Sequence, residues 1–181
     1  LMVLLLPQAF ILPIECSYEN HLLENLEVFI LGIGFINMLY RTVSLNKNKF
    51  NKFYLACGIF YIVMIARELS YGRVFYPIGM DKNGEQIFVK VHELWYGSVV
   101  YPMVGILILI VLILLGVYFY QSRRQGICWY IPLGEFLFFI VTSILGQCVF
   151  DRGLVQFGNY NQLLEESCEI IAYIALVCCT Y

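Results

Sequence analysis

Three carboxylates, Glu165, Glu166 and Glu169, stand at the head of the last apolar stretch of this chain, NQLLEESCEIIAYIALVCCTY over 161–181. So apolar a stretch asks for a bilayer, where an ionisable group at a helix centre costs about 2.5–3.5 kcal/mol on insertion scales and less near the interface. On a helix Glu165, Glu169 and Tyr173 follow i, i+4, i+8, and Glu166 and Glu169 are i, i+3 neighbours, so at least two carboxylates share a face. A second acidic set opens an earlier apolar run: HLLENLE places His21, Glu24 and Glu27 at successive i+3 steps. Arg67 and Glu68 end the apolar run over 53–69, and His92 and Glu93 precede the one over 99–120.

These residue types and spacings point to metal chemistry. Helix bundles build carboxylate metal centres from Glu on facing helices together with i, i+3 pairs. His21-x-x-Glu24, Glu24-x-x-Glu27 and Glu166-x-x-Glu169 have that spacing, and His92 is available from a loop. The expected ligands of a divalent metal ion are therefore His21, Glu24, Glu27, His92, Glu166 and Glu169. Such an ion activates water for hydrolysis of a lipid or peptide bond, or oxygen if it is iron. The expected catalytic set is Glu24, Glu68, Glu166 and Glu169, with Arg67 as an anion clamp and His21 or His92 as ligand or acid. The competing structural reading is ion pairing, Arg67 with Glu166 or Glu169 and Arg152 with Glu24, since Arg holds carboxylates bidentately. Glu27, Glu68 and Glu169 lie deepest in their runs and are the hardest to assign to headgroup water.

The elements that must position these groups are membrane helices. The chain has 181 residues, of which 61% are hydrophobic and 13% charged, and its mean hydropathy is +0.77. Such a composition marks a polytopic membrane protein. Five spans are expected, at about 22–40, 53–69, 99–120, 127–150 and 161–181, in one transmembrane domain covering 1–181. Their short connections make an all-α bundle, the arrangement that satisfies backbone hydrogen bonds in lipid at these lengths. Pro102 is expected in the first turn of the third span. Residues 1–14 are apolar but too short to span and are broken by Pro7 and Pro13. They read as the end of a signal sequence, a re-entrant piece, or a helix against the bundle. Between the second and third spans, β-prone segments flank Asn83-Gly84, the signature of a hairpin over 73–91, placed outside the cytoplasm. Trp95 and Tyr96 follow as interface aromatics.

Lys and Arg in short loops set the orientation. Arg41, Lys47, Lys49 and Lys52 follow the first span, and Arg123 and Arg124 follow the third. Those loops are expected in the cytoplasm, with the N-terminus outside, as in a bacterial cytoplasmic membrane. His21, Glu24, Glu27, Arg67, Glu68, His92, Glu93, Asp151, Arg152, Glu165, Glu166 and Glu169 then all fall on one outer layer, to which four helices deliver charge, with Glu135 toward the other face.

Other chemistries find little purchase. The net charge of −2 and the lack of a basic tract argue against nucleic acid as a partner. Seven cysteines form no Cys-x-x-Cys pair, so neither a zinc ribbon nor a thioredoxin-like site is indicated. No nucleophile elbow or phosphate loop is present. Two readings compete with a membrane-embedded metalloenzyme. One is a cation- or proton-translocating protein, for which acids in a bundle are the raw material. The other is a non-catalytic subunit of a homo-oligomer or larger membrane complex.

ARELSYGRVFY resembles the Glu-Ile-Ser-Trp-Gly-Gln-Arg helix end of a group of uncharacterised bacterial polytopic membrane proteins. Glu68, Ser70, Gly72 and Arg73 match, and Tyr71 stands where that group has Trp. Asn25-Leu26-Glu27 and Leu164-Glu165-Glu166 fit the same arrangement. The resemblance implies an external polar motif and carries no activity with it.

Overall fold

A computed structural model of the chain describes residues 13, 16, 21–44, 50–81, 86–126, 133–150, 152, 154–155 and 157–180. These residues are mostly helical, with one small two-stranded sheet. The helices are α1 (Leu22–Ser44), α2 (Asn51–Glu68), α3 (Gly97–Arg124), α4 (Leu133–Ile144) and α5 (Asn161–Thr180). Short 3-10 turns occupy Ser70–Phe75, Val91–Glu93 and Gly158–Tyr160, and α4 runs on as a π-helical turn over Leu145–Phe150.

The five apolar runs each contain a helix, and two of them carry a proline, Pro102 and Pro132. Pro102 was expected in a first turn, but α3 begins at Gly97, so the proline sits inside the helix. It forfeits the bond that its nitrogen would have made to the Ser98 carbonyl. That loss is tolerable near a helix start, where water reaches the carbonyl. The described part of the fourth run begins at Leu133, and residues 127–132 lie outside the described set, as do residues 1–12 and the Asn83-Gly84 turn. The strands that turn was expected to join are present. β1 (Pro77–Met80) pairs antiparallel with β2 (Gln86–Phe88), Gly79 opposite Ile87 and Met80 opposite Gln86, with a bulge between Pro77 and Gly79.

Helix packing follows the order α3, α2, α1, α5, α4. The core lies among α1, α2 and α5, where Leu31, Met38, Tyr61, Tyr173 and Leu176 form one buried cluster. A second cluster joins Leu23 of α1 to Leu163, Leu164 and Ile170 of α5. α5 is the most enclosed helix, with eleven buried residues from Leu163 to Leu176. Two polar links fix α2 against α5. The Tyr61 and Thr180 hydroxyls are 2.7 Å apart, and Arg67 bonds Glu169. Numbering rises along α2 as it falls along α5, so the two helices are antiparallel.

Two of the described helices, α1 and α3, are long and apolar enough to cross a membrane. The remaining three do not meet that measure, so two of the five expected spans are supported by length and composition. α2 carries Lys52, Arg67 and Glu68 within 18 residues, and α5 carries Glu165, Glu166 and Glu169. The apolar run through α4 and its π-helical turn is short. α3 packs chiefly against α2 and leaves Val99, Ile106, Leu109, Leu112 and Ile113 exposed.

Candidate functional site

The polar residues of the interior converge at one end of α1, α2 and α5. Glu27 lies in the second turn of α1, Glu68 is the last residue of α2, and Glu169 lies in the third turn of α5. Antiparallel α2 brings its C-terminus to the level at which α1 and α5 begin. One carboxylate oxygen from each glutamate lies within 4.8 Å of the other two. All three are buried, Glu27 completely, at 0% exposure.

Arg67 organises two of the three. Its Nε donates to Glu68 Oε1 at 2.8 Å. Its Nη2 donates to both oxygens of Glu169 and to the Tyr173 hydroxyl, each at 2.8 Å. The Tyr173 hydroxyl in turn donates to Glu68 Oε1. Gln147 Nε2 reaches Glu169 Oε1 at 3.3 Å. The π-helical turn makes that reach possible, since its widened backbone lays Gly146 on α5. A side chain there would press on Glu169 Cγ at 3.4 Å and Cys168 Cβ at 3.5 Å. Single π turns are rare and concentrate at functional sites.

Glu27 is the exception in this network. Neither of its oxygens has a hydrogen-bond partner among the described residues. Its neighbours are instead other carboxylates, with Glu166, Glu68 and Glu169 all acting on it electrostatically. A buried polar group without a partner costs about 1–3 kcal/mol, more if charged. Fully ionised, Glu27, Glu68, Glu169 and Arg67 sum to two negative charges away from water. Several kcal/mol per ion is the effective price of such burial, so protons or a cation must balance the set.

The corner beyond α2 is unusual as well. Ser70 and Tyr71 have φ of 45° and 54°, left-handed values that side chains with a Cβ rarely adopt, and Gly72 follows at 86°. The Tyr96 hydroxyl donates to the Tyr71 carbonyl at 3.2 Å, and the Tyr71 and Tyr101 rings meet edge to face at 5.7 Å. The start of α3 thus holds the turn that ends α2, and with it the backbone carrying Arg67 and Glu68.

Of the residues singled out from sequence, Glu27, Glu68, Glu169 and Arg67 come together. Glu24 and Glu166 lie one turn nearer the helix starts and are half-buried. Glu166 feels Glu169, Glu165, Glu24 and Glu68, so it borders the cluster. His21 is half-buried at the head of α1. His92 is exposed in its 3-10 turn, with Nε2 3.7 Å from Glu93. The ligand-competent group among the described residues contains neither histidine. Glu68 belongs to it, although sequence spacing offered it for catalysis alone. Tyr173 and Gln147 were not in the expected set. For Tyr173 the signal was its i+4 spacing from Glu169. No sequence signal could have found Gln147, because a π turn aims it. Glu135 is exposed, in a mostly apolar groove with Gly134, Phe138, Ile174, Ala175 and Cys178, further along α5. No protein-family model, curated protein or solved structure matches this chain.

Proposed function

We propose that this chain is a multi-pass helical membrane protein whose outward-facing carboxylate site serves as a metal-dependent enzyme on a lipid or other membrane-borne substrate. The observation that carries this reading is the meeting of Glu27, Glu68 and Glu169, from three helices, in a buried cluster with ligand atoms within 4.8 Å. Acids gathered inside a helical bundle are the usual framework of carboxylate metal centres.

The bilayer placement draws support from α1 and α3 and from the apolar side chains that α3 leaves uncovered. A contiguous patch of that kind is a liability in water and a natural surface in lipid. In this reading α2, α4 and α5 complete five spans. The charges of α2 and α5 are tolerated because Arg67 binds Glu68 and Glu169 inside the bundle.

Each side chain then has a part. The Arg67 side chain is 32% exposed, against 8% for Glu68 and 10% for Glu169, so it stands at the mouth of the site. A guanidinium there holds a planar or tetrahedral anion such as a phosphate headgroup. Tyr173 fixes Glu68 by its hydroxyl. Glu27, with no donor of its own, is the carboxylate open to accept a proton or a ligand bond. A hard divalent ion bound here would supply Lewis acidity and orient a water against the substrate, with a carboxylate to take its proton.

The test is reconstitution of the full chain into mixed-lipid vesicles, with lipid mass spectrometry before and after a chelator. Chelator-sensitive conversion of a lipid, lost in Glu169→Gln, is the expected result. Unchanged lipids across a broad panel would sink the enzyme reading. The complete burial of Glu27 favours a second reading, cation translocation, since interior acids also bind and relay cations. Ion flux without lipid turnover in the same vesicles would select it.

A further inference from the structure

We propose that Glu27, Glu68 and Glu169 bind a single hard divalent cation of the calcium and magnesium class, with Glu27 as the ligand that no nitrogen or hydroxyl donor engages among the described residues and Arg67 as the fixed counter-charge behind the other two. The proposal rests on the same site as the enzyme reading but stands without any catalytic step.

Four observations lead to it. The first is Glu27 itself, at 0% exposure, with neither oxygen hydrogen-bonded among the described residues and one of them turned toward Glu68 and Glu169. A carboxylate in that position is either a cost with no return or half of an interaction. The second is charge. Fully ionised, three carboxylates and one guanidinium leave two negative charges, which one divalent cation neutralises and one monovalent cation does not. The third is donor type. The cluster offers carboxylate oxygens, with the tyrosine hydroxyl and the Gln147 amide beside it, and no nitrogen or sulfur ligand among the described residues. All-oxygen sites suit calcium, magnesium and manganese and disfavour zinc and copper.

The fourth is size. Two ligands of one ion are separated by at most twice the metal–oxygen distance, about 4.2 Å for magnesium and about 5 Å for calcium. The three oxygens lie within 4.8 Å of one another. That bound brings all three within reach of one hard divalent ion after small side-chain adjustment and does not by itself separate calcium from magnesium. Arg67 need not leave. It occupies Glu169 and Glu68 Oε1, and both oxygens of Glu27 remain open.

Calorimetric titration of the full chain in detergent, after chelator dialysis, tests this with calcium, manganese, magnesium and sodium chlorides. Melting temperature is followed in parallel. The expected result is one calcium per chain, with a dissociation constant in the range of about 10–1000 μM, a raised melting temperature, and no such response to sodium. Glu27→Gln should weaken calcium binding at least tenfold while melting no lower than the wild type without calcium, which separates loss of a ligand from loss of the fold. Glu135→Gln, in the distant groove, should bind as the wild type does. Arg67→Gln should bind calcium more tightly, because it removes a positive charge beside the ion. Calcium binding that survives Glu27→Gln, or no binding to wild type up to about 10 mM, ten times the weak end of natural calcium modules, would overturn the site. Calcium binding without lipid turnover would instead retire the enzyme reading and leave the site standing.

Discussion

Arg67→Met in the cation-free protein is the sharpest probe of how the buried end is held together. The substitution keeps an unbranched apolar stem and removes the guanidinium. Lost with it are the bonds to Glu68 Oε1, to both oxygens of Glu169 and to the Tyr173 hydroxyl. Glu68 and Glu169, 7% and 8% exposed, are then left without a cation. Removing one partner from a buried ion pair costs about 3–5 kcal/mol. Because the Arg67 side chain is 32% exposed, water screens part of that interaction, and the figure falls to about 2–4 kcal/mol. Adding Glu169→Gln removes one of the stranded charges and should recover part of the loss. The coupling energy between the two sites should lie in the range of about 1–3 kcal/mol expected for residues in one network. Chemical unfolding in detergent micelles, followed by tyrosine and tryptophan fluorescence, measures all four corners of the cycle. A coupling below about 0.5 kcal/mol, the additivity limit for independent sites, would refute the view that Arg67 supports the carboxylates.

Three further outcomes follow from the same geometry. Tyr173→Phe deletes the hydroxyl that accepts from Arg67 and donates to Glu68, and should lower stability by about 1–3 kcal/mol in the same unfolding assay. Gly34→Ala places a Cβ 2.5 Å from the buried Tyr61 ring. It should cost about 1–3 kcal/mol by overpacking and should perturb the Tyr61–Thr180 hydrogen bond, visible as altered near-UV circular dichroism. Leu109→Arg puts a charge on the exposed apolar face of α3. It should reduce insertion in a glycosylation-mapping assay by about 2.5–3.5 kcal/mol if the residue is near mid-bilayer, whereas an unchanged insertion fraction would place α3 elsewhere.

The helices were legible in the sequence because their runs are long and mostly free of breakers, Pro102 and Pro132 apart. The expected 22–40 and 53–69 correspond to Leu22–Ser44 and Asn51–Glu68, with the errors at the ends, where polar residues such as Arg41 and Asn51 continue a helix that hydropathy alone would stop. The two strands followed from β-prone segments on either side of Asn83-Gly84. The level of the site was legible too, since counting from helix ends puts Glu27, Glu68 and Glu169 at similar depth. What spacing could not give was rotation about each helix axis. Glu24 and Glu27, like Glu166 and Glu169, are i, i+3 pairs, and which member turns inward is settled by packing. Leu31 and Leu23 pull Glu27 into the core of α1, and Cys168 and Ile171 do the same for Glu169. The histidines had no such anchor, and His92 ended exposed on a turn.

Holding α2 to α5 at both extremities has a mechanical consequence. The Tyr61–Thr180 bond and the Arg67–Glu169 bond act like two bolts through a pair of antiparallel beams. Sliding either beam by one residue, about 1.5 Å, would shear both at once, so a piston motion is opposed, while Glu27 at the carboxylate end, which no donor among the described residues holds, can change rotamer. An ion arriving there can be answered by a rotamer without disturbing the far end. Removing the Arg67 bolt would leave the Tyr61–Thr180 and Tyr173–Glu68 bonds between α2 and α5, with apolar packing against α1 and α4 holding the rest of the helix.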